Sequence, residues 1–220
     1  MRTIKSITLI ADDYPAQGHI EYIFVQQLVH AIINMGVKVT VVAPQSIVHN
    51  IVRRKKPLLK FSREITEKGI AYEVYRPYKL SFGNRDLFGR IAQRFNRKVI
   101  TSILKKIDSD VLYSHFWNNT LPIYEYAIKK GKKLFVACGE GDDALENMVN
   151  TISEDSKKRL ASAVTGVISV STENKRKCID FGLSKKEDVS VFPNCVNTNI
   201  FHKSDMTNLK KQLGIKDDDF

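Results

Sequence analysis

A histidine, a tryptophan and two asparagines stand together in SHFWNN, residues 114–119. His115 directly follows a short β-rich run, and in a parallel sheet the carboxyl end of a strand delivers its side chains into the ligand cleft. A lone histidine is often only structural, but this position favours a functional role. Trp117 is the only tryptophan, and Asn118 and Asn119 add amide donors and acceptors. An aromatic face beside amides suits a sugar ring, which has an apolar C–H face and a rim of hydroxyl groups.

Three carboxylates are crowded into CGEGDD, residues 138–143, after another apolar run. Glu140, Asp142 and Asp143 could bind hydroxyl groups or act as a base. One of the two aspartates could instead only cap the helix that the next residues predict. No nearby histidine or second acidic cluster completes a ligand set, so we predict that the chain holds no metal.

The loop after the first apolar run, DDYPAQGHIEY, contains one glycine, Gly18. Backbone N–H groups at the start of the following helix could approach a phosphate there. A glycine that serves only as a loop hinge is the alternative, and the GxGxxG pattern of dinucleotide-binding proteins is missing. The paired Asp12 and Asp13 also resemble the acidic pocket of a receiver domain. Such a domain needs an aspartate after its third strand, where this chain has Arg76.

A sheet must position these residues, and apolar runs do alternate with helix-like patterns along the chain. The run at 7–11 is continuous, as in a strand buried on both faces, and residues 20–35 show helical spacing that ends at Gly36. We predict about seven strands, at 7–11, 37–43, 70–75, 111–114, 134–138, 167–170 and 189–192. Helices are predicted at 20–35, 86–107, 121–130, 156–163, 172–181 and 207–213. This alternation predicts an α/β fold with a doubly wound, mostly parallel, Rossmann-like sheet.

The composition fits one large α/β domain of a globular protein, with 220 residues that are 43% hydrophobic and 27% charged. The apolar run at 7–11 is too short for a membrane span or a signal peptide. The three cysteines are far apart in sequence and form no CxxC pair. They therefore favour a reducing, cytosolic setting in which they are small buried groups.

The excess positive charge lies in one quarter of the chain. Residues 47–106 contain sixteen Lys/Arg and only four Asp/Glu, whereas the whole chain has a net charge of +11. Arg53, Arg54, Lys55 and Lys56 stand beside leucines and a phenylalanine, a combination that suits an anionic bilayer surface. A non-catalytic module that binds nucleic acid is the alternative. It is disfavoured because the segment is poor in aromatic residues for stacking bases and no nucleic-acid motif appears.

Four segments together resemble the N-terminal domain of a family 4 GT-B glycosyltransferase, over nearly the whole chain. They are YPAQGHIEYIFVQQLVHAIINMGVKVTVVAP near the start, DVLYSHFW, FVACGEGDD and VSVFPNCVNTNIF followed by LKKQLGI. The resemblance implies one half of a GT-B architecture. Residues 1–203 would be the acceptor-side domain and residues 204–220 the start of the linker to a C-terminal donor domain that this chain lacks.

The resemblance also implies an activity: a retaining, metal-independent transfer of sugar from a nucleotide-sugar to a glycan or lipid-linked acceptor in cell-surface polysaccharide synthesis. His115 would be catalytic, beside the transferred sugar, and Gly18 would approach the donor phosphate. The acceptor would be bound by Tyr14, Trp117, Asn118, Glu140 and Asp142. The chain departs from the family pattern at His19, Cys195 and Asn197, and His19 stands where a second glycine is usual.

The same resemblance implies a protein at the cytoplasmic face of the membrane. We expect the chain alone to bind no cofactor and to transfer no sugar, because the nucleotide-sugar would be held with the missing domain. A complete small α/β enzyme, such as a nucleotide-binding oxidoreductase, is disfavoured by the missing GxGxxG pattern and by the lack of a nucleophile–base pair.

Overall fold

A computed structural model describes residues 3–16, 20–52, 54, 56–81, 87–194 and 207–215, except for the side chains of Leu87, Phe88, Asp142, Leu209 and Lys210. The strands are Ser6–Ala11 (β1), Lys38–Val42 (β2), Gln45–Ser46 (β3), Phe61–Ile65 (β4), Ala71–Tyr75 (β5), Tyr78–Lys79 (β6), Val111–His115 (β7), Lys133–Cys138 (β8), Gly166–Ser169 (β9) and Val189–Val191 (β10). The helices are Ile23–Asn34 (α1), Ile47–Val52 (α2), Leu87–Ile107 (α3), Tyr124–Lys130 (α4), Asp142–Thr151 (α5), Glu154–Ala163 (α6), Thr172–Asp180 (α7) and Thr207–Leu213 (α8).

One sheet of eight strands has the order β10-β9-β8-β7-β1-β2-β5-β4. The seven predicted strands are all present, and every pairing among them is parallel. The eighth strand, β4, was not predicted; it pairs antiparallel with β5 at the edge of the sheet. A tight turn at Gly69, whose φ is +78°, joins the two strands. The predicted α/β fold with a doubly wound, mostly parallel sheet is therefore confirmed.

Helices cover both faces of this sheet, because successive side chains of a buried strand point to opposite faces. Leu9 of β1 packs in one core cluster with Val25 and Val29 of α1. The next residue, Ile10, packs in a second cluster with Leu104 of α3 and residues of α4 to α7. The two layers fix the strand ends, and so position the residues that follow them.

The predicted helices all occur, with shifts of one to three residues at most of their ends. One helix was not predicted, the short α2, which continues from β3. The helix predicted after the acidic segment is α5; it begins at Asp142 with Gly141 as its N-cap and no side-chain cap bond, so Asp142 and Asp143 lie within the helix and neither is its cap. Within the described ranges, no helix combines the length and the apolar character needed to cross a membrane.

Candidate functional site

The carboxyl ends of the three central strands form the candidate site. Ala11 of β1 lies opposite His115 of β7, which in turn lies opposite Ala137 of β8. The residues that follow these strands, Asp12 and Glu140 among them, therefore meet at one edge of the sheet. The structure brings the predicted His115 and Glu140 to this edge. Asp12 is close enough to His115 for its negative charge to raise the pKa of the imidazole.

His115 is a buried, uncharged imidazole. Its ring lies 5.5 Å from that of Phe24 and 4.4 Å from that of Phe116, centroid to centroid, and the residue is only 8% exposed. Burial lowers its pKa to about 4, and the nearby Asp12 opposes that shift. Neither ring nitrogen has a hydrogen-bond partner among the described residues. At neutral pH one nitrogen can donate and the other can accept, which suits a hydroxyl group of a ligand.

Backbone amides orient the Glu140 carboxylate. The N–H groups of Trp117 and Gly139 donate to its two oxygens, and Asn174 Nδ2 donates to its backbone carbonyl over 3.0 Å. Burial raises the pKa of Glu140, and the bonds from the backbone oppose that rise. Glu140 is thus held in one orientation at the strand edge, beside the loop that follows His115.

The turn after β8 depends on close packing at Gly139. A Cβ atom there would lie 3.1 Å from Val170 Cγ1 and 3.3 Å from the Phe116 ring. Phe116 has a φ of +112°, which turns the chain back after β7 and into a 3₁₀ turn over Trp117–Asn119. The two strand-end loops therefore pack against each other, and this contact brings the Trp117 N–H to Glu140.

Two of the predicted acceptor contacts are buried in the core. The Trp117 side chain is fully buried in the cluster under α4 and α5. It presents no ring face to a sugar, because the turn at Phe116 directs the indole inward. Tyr14 is also fully buried, against α1, where its hydroxyl is 3.0 Å from that of Tyr72. The prediction that these two rings contact the acceptor is wrong for this structure.

The other predicted site residues form two groups. Some are exposed, and the rest lie outside the described residues. Asn118 is exposed beside a cleft, and Arg54 and Lys56 are exposed near the end of α2. Gly18, Arg53, Lys55 and the side chain of Asp142 lie outside the described residues.

A buried cation beneath the first loop was missed by sequence reasoning. Arg76 is only 2% exposed. Its guanidinium donates to Pro15 O and to Glu64 Oε1, both over 2.8 Å, and to Ser62 Oγ over 2.7 Å. Glu64 accepts a further bond from the Tyr72 hydroxyl over 3.1 Å. Arg76 thereby ties the loop after β1 to the β4–β5 hairpin. The only signal in the sequence was an arginine directly after a strand.

A cleft of about 340 Å³ extends from Asp12 along α3. Lys79 forms an ion pair with Asp12 over 3.0 Å, and Asn96 of α3 bonds both the N–H and the C=O of Leu80 over 2.8 Å. These contacts hold the segment after β6 against α3, so that one wall of the cleft is fixed.

The predicted membrane-binding segment is surrounded by exposed apolar side chains. Ile51 and Val52, at the end of α2, and Leu59, before β4, are each more than 70% exposed. Arg54 and Lys56 lie between them in sequence and are also exposed. Exposed cations and exposed apolar side chains therefore occur together along this segment of the chain.

Two of the three cysteines meet behind the site. Cys138, the last residue of β8, accepts a hydrogen bond from the Cys178 thiol of α7 over a sulfur–sulfur distance of 3.2 Å. The proximity of the second sulfur and burial both disfavour a thiolate at Cys138 and raise the pKa of its thiol. Both are buried free thiols, as the sequence predicted, whereas Cys195 lies outside the described residues. In the part of the chain that the structure covers, no group of three or more His, Cys, Asp or Glu side chains could hold a metal ion.

Comparison with known proteins gives one family and one fold. The model of Glycosyltransferase Family 4 matches residues 23–200. Sucrose-phosphate synthase from Thermosynechococcus elongatus has a similar structure, with a TM-score of 0.63 and 13% identity over 97% of this chain and 53% of its own. A search of curated proteins finds no match.

Two further solved structures are similar over comparable lengths. A glycosyltransferase from Rickettsia africae gives a TM-score of 0.57 at 11% identity, over 99% of this chain and 51% of its own. Anabaena HepE in complex with UDP-glucose gives 0.56 at 12% identity, over 95% and 50%. At such identities the likeness shows the fold alone. The chain spans about half the length of these three proteins.

Proposed function

The chain belongs to glycosyltransferase family 4, and on that premise we propose that it is the acceptor-side half of a retaining enzyme that transfers a sugar from a nucleotide-sugar to a glycan or lipid-linked acceptor. The family match and the GT-B fold support a glycosyltransferase. Three parts of the proposal come from the family resemblance. They are retention of the anomeric configuration, independence from a metal ion, and a role in cell-surface polysaccharide synthesis.

The state of the His115 side chain is the observation that supports this proposal most directly. His115 is neutral, nearly buried and free at both ring nitrogens among the described residues, at the central edge where a parallel sheet binds its ligands. A neutral imidazole can hold a sugar hydroxyl without adding charge beside a reacting centre. Glu140, fixed by two backbone N–H groups, can accept from a second hydroxyl. Both residues would position the sugar, and Gly18 would lie near the donor phosphate.

A nucleotide-sugar would be held mainly by a second domain, since the chain spans only about half of the similar enzymes. The HepE structure contains UDP-glucose, which is a property of that protein. For the present chain, a donor of this class, a partner donor domain and inactivity of the isolated chain remain part of the proposal.

Transfer assays test this function. The chain alone, and the full-length gene product that carries it, are incubated with UDP-, GDP- and ADP-sugars and candidate acceptors, and NMR of the early product gives its anomeric configuration. We expect transfer with retention by the full-length product only. His115→Ala should lower kcat about a hundredfold, the usual effect of losing one positioned hydrogen-bond group. His49→Ala, at an exposed histidine, is the control.

Three results would contradict the proposal: transfer by the isolated chain, an inverted product, or full activity in a folded His115→Ala variant. Circular dichroism establishes that each variant is folded.

The exposed cations Arg54 and Lys56 support our proposal of a cytoplasmic protein that binds anionic membrane peripherally. Exposed cations next to exposed Ile51, Val52 and Leu59 match a bilayer surface, where each cation contributes about 1 kcal/mol. Binding to nucleic acid instead would leave these apolar side chains without a partner.

Vesicle co-sedimentation tests the membrane contact. The chain should bind anionic but not neutral vesicles, and reversal of residues 53–56 to glutamate should abolish binding. A matched control reverses four exposed cations elsewhere: Lys129, Lys130, Lys158 and Arg159. Equal loss in both variants would indicate nonspecific attraction, and binding to oligonucleotides without binding to vesicles would favour the nucleic-acid alternative.

A further inference from the structure

The cleft along α3 is lined by two kinds of groups. Its floor is formed by buried apolar side chains of α3 and α4, including Ala92, Ile100 and Tyr124. Its rim carries neutral amides, among which Gln93 and Asn118 are exposed. Neither of these two amides makes a side-chain hydrogen bond to another described residue, whereas Asn96 is already occupied by Leu80. The rim therefore has free donors and acceptors above an apolar surface.

The charges at the cleft are already balanced. Lys79 faces Asp12 over 3.0 Å, and Arg97 faces Glu125 over 2.5 Å. A cation that is paired with a carboxylate has little remaining attraction for an incoming anion. The described lining thus offers no unpaired cation for a phosphate, although the chain as a whole is strongly basic.

We propose that this cleft binds an uncharged saccharide unit of the acceptor, with the sugar's C–H face on the apolar floor and its hydroxyls on Gln93 and Asn118. The inference rests on the proposed function and adds the chemical class of the acceptor group. Asp12 lines the cleft and also acts on His115, so the cleft opens next to the strand-end site. Its volume of about 340 Å³ is at the small end of ligand pockets, which suits a terminal sugar.

The alternative ligand is the phosphate-bearing part of a lipid-linked acceptor. That group would need unpaired cations, and none lines the cleft among the described residues. Exposed cations lie outside the lining, near residues 54–60 and at Arg90 and Arg94 of α3. The structure therefore separates a neutral sugar subsite from a basic surface. A single acceptor with both a sugar and an anionic lipid could contact both.

Saturation-transfer NMR on the chain tests the inference directly. The probes are methyl glycosides of glucose, galactose, mannose and N-acetylglucosamine, and glucose 1-phosphate for comparison. At least one neutral glycoside should receive saturation, and Gln93→Ala and Asn118→Ala should each weaken its binding about fivefold, the effect of one lost hydrogen bond. Gln27→Ala removes an exposed amide of α1, outside the cleft, and should leave binding unchanged.

Three outcomes would overturn the inference. They are no saturation of any neutral glycoside, preference for the phosphorylated sugar, and binding that is insensitive to both cleft substitutions.

A kinetic measurement separates this inference from the proposed function. In the full-length gene product, the two cleft substitutions should raise the acceptor KM severalfold and leave the donor KM unchanged. Transfer with an unchanged acceptor KM would contradict the cleft assignment alone. Absence of transfer by the unmodified protein from every nucleotide-sugar would contradict the proposed function.

Discussion

The buried ion pair of Arg76 and Glu64 predicts a large and asymmetric effect of substitution on stability. Only 3% of the Arg76 side chain is exposed, against 21% for Glu64, and their atoms are 2.8 Å apart. Glu64→Gln keeps the shape and removes the negative charge, so the guanidinium stays buried without its counter-ion. Loss of one partner of a buried pair costs about 3–5 kcal/mol. Because Glu64 is partly exposed, we expect a loss near the lower value, about 3 kcal/mol.

A second ion pair, between β4 and β5, provides the control. Arg63 and Glu73 lie 3.9 Å apart, and the Arg63 side chain is 71% exposed. Exposed pairs contribute about 0–1 kcal/mol, so Glu73→Gln should change the free energy of unfolding by less than about 1 kcal/mol. Both variants lose one carboxylate of the β4–β5 hairpin, and only the burial of the partner cation differs.

Urea denaturation of the chain at pH 7 measures both effects by linear extrapolation. The double variant with Arg76→Met should be less destabilised than the sum of its single variants, because removal of the cation abolishes the penalty for leaving it unpaired. The explanation would be refuted if Glu64→Gln and Glu73→Gln had equal effects, or if the effects of Arg76→Met and Glu64→Gln were additive.

Two further substitutions test the strand-end site. The pKa of His115 lies near 4 in the folded chain, below its ordinary value of 6.5. Between these two pH values the imidazole is therefore protonated in the unfolded chain and neutral in the folded chain. The free energy of unfolding should fall by about 3 kcal/mol more between pH 7 and pH 4 in the unmodified chain than in His115→Gln. The control is His49→Gln, at an exposed histidine. Gly139→Ala should destabilise the chain by about 1–3 kcal/mol, because the new methyl group would lie 3.1 Å from Val170. Gly141→Ala has open space around it and should cost less than about 1 kcal/mol in the same urea assay, the effect of replacing a glycine N-cap by alanine.

The sheet could be predicted well from the sequence because its parallel strands are buried on both faces. Each such strand is a nearly continuous apolar run, which is a strong local signal. The edge strand β4 gives no such signal, since Phe61, Arg63 and Ile65 alternate with partly buried residues and are exposed. Its phenylalanine was therefore interpreted only as part of a membrane surface.

The location of the site could also be predicted, but only some of its chemistry could. The rule that ligands bind at the carboxyl ends of parallel strands brings His115 and Glu140 together from sequence alone. The Arg76 network could not be found in this way, because it depends on a hairpin whose first strand was not predicted. Its partners Pro15 and Glu64 are 61 and 12 residues away from Arg76 in sequence.

Trp117 shows why residue type alone does not identify a ligand contact. Its ring was predicted to bind sugar because tryptophan is large, flat and placed after a strand. The backbone turn at Phe116 instead directs the ring into the core, where burial of so large an apolar surface stabilises the fold. The same turn points the Trp117 backbone N–H at Glu140. Trp117 therefore acts on the site through its backbone, which any residue could supply, and its side chain anchors the loop that holds this N–H in place. A substitution to alanine should thus disturb the orientation of Glu140 through lost packing, and leave direct contacts to a sugar unaffected.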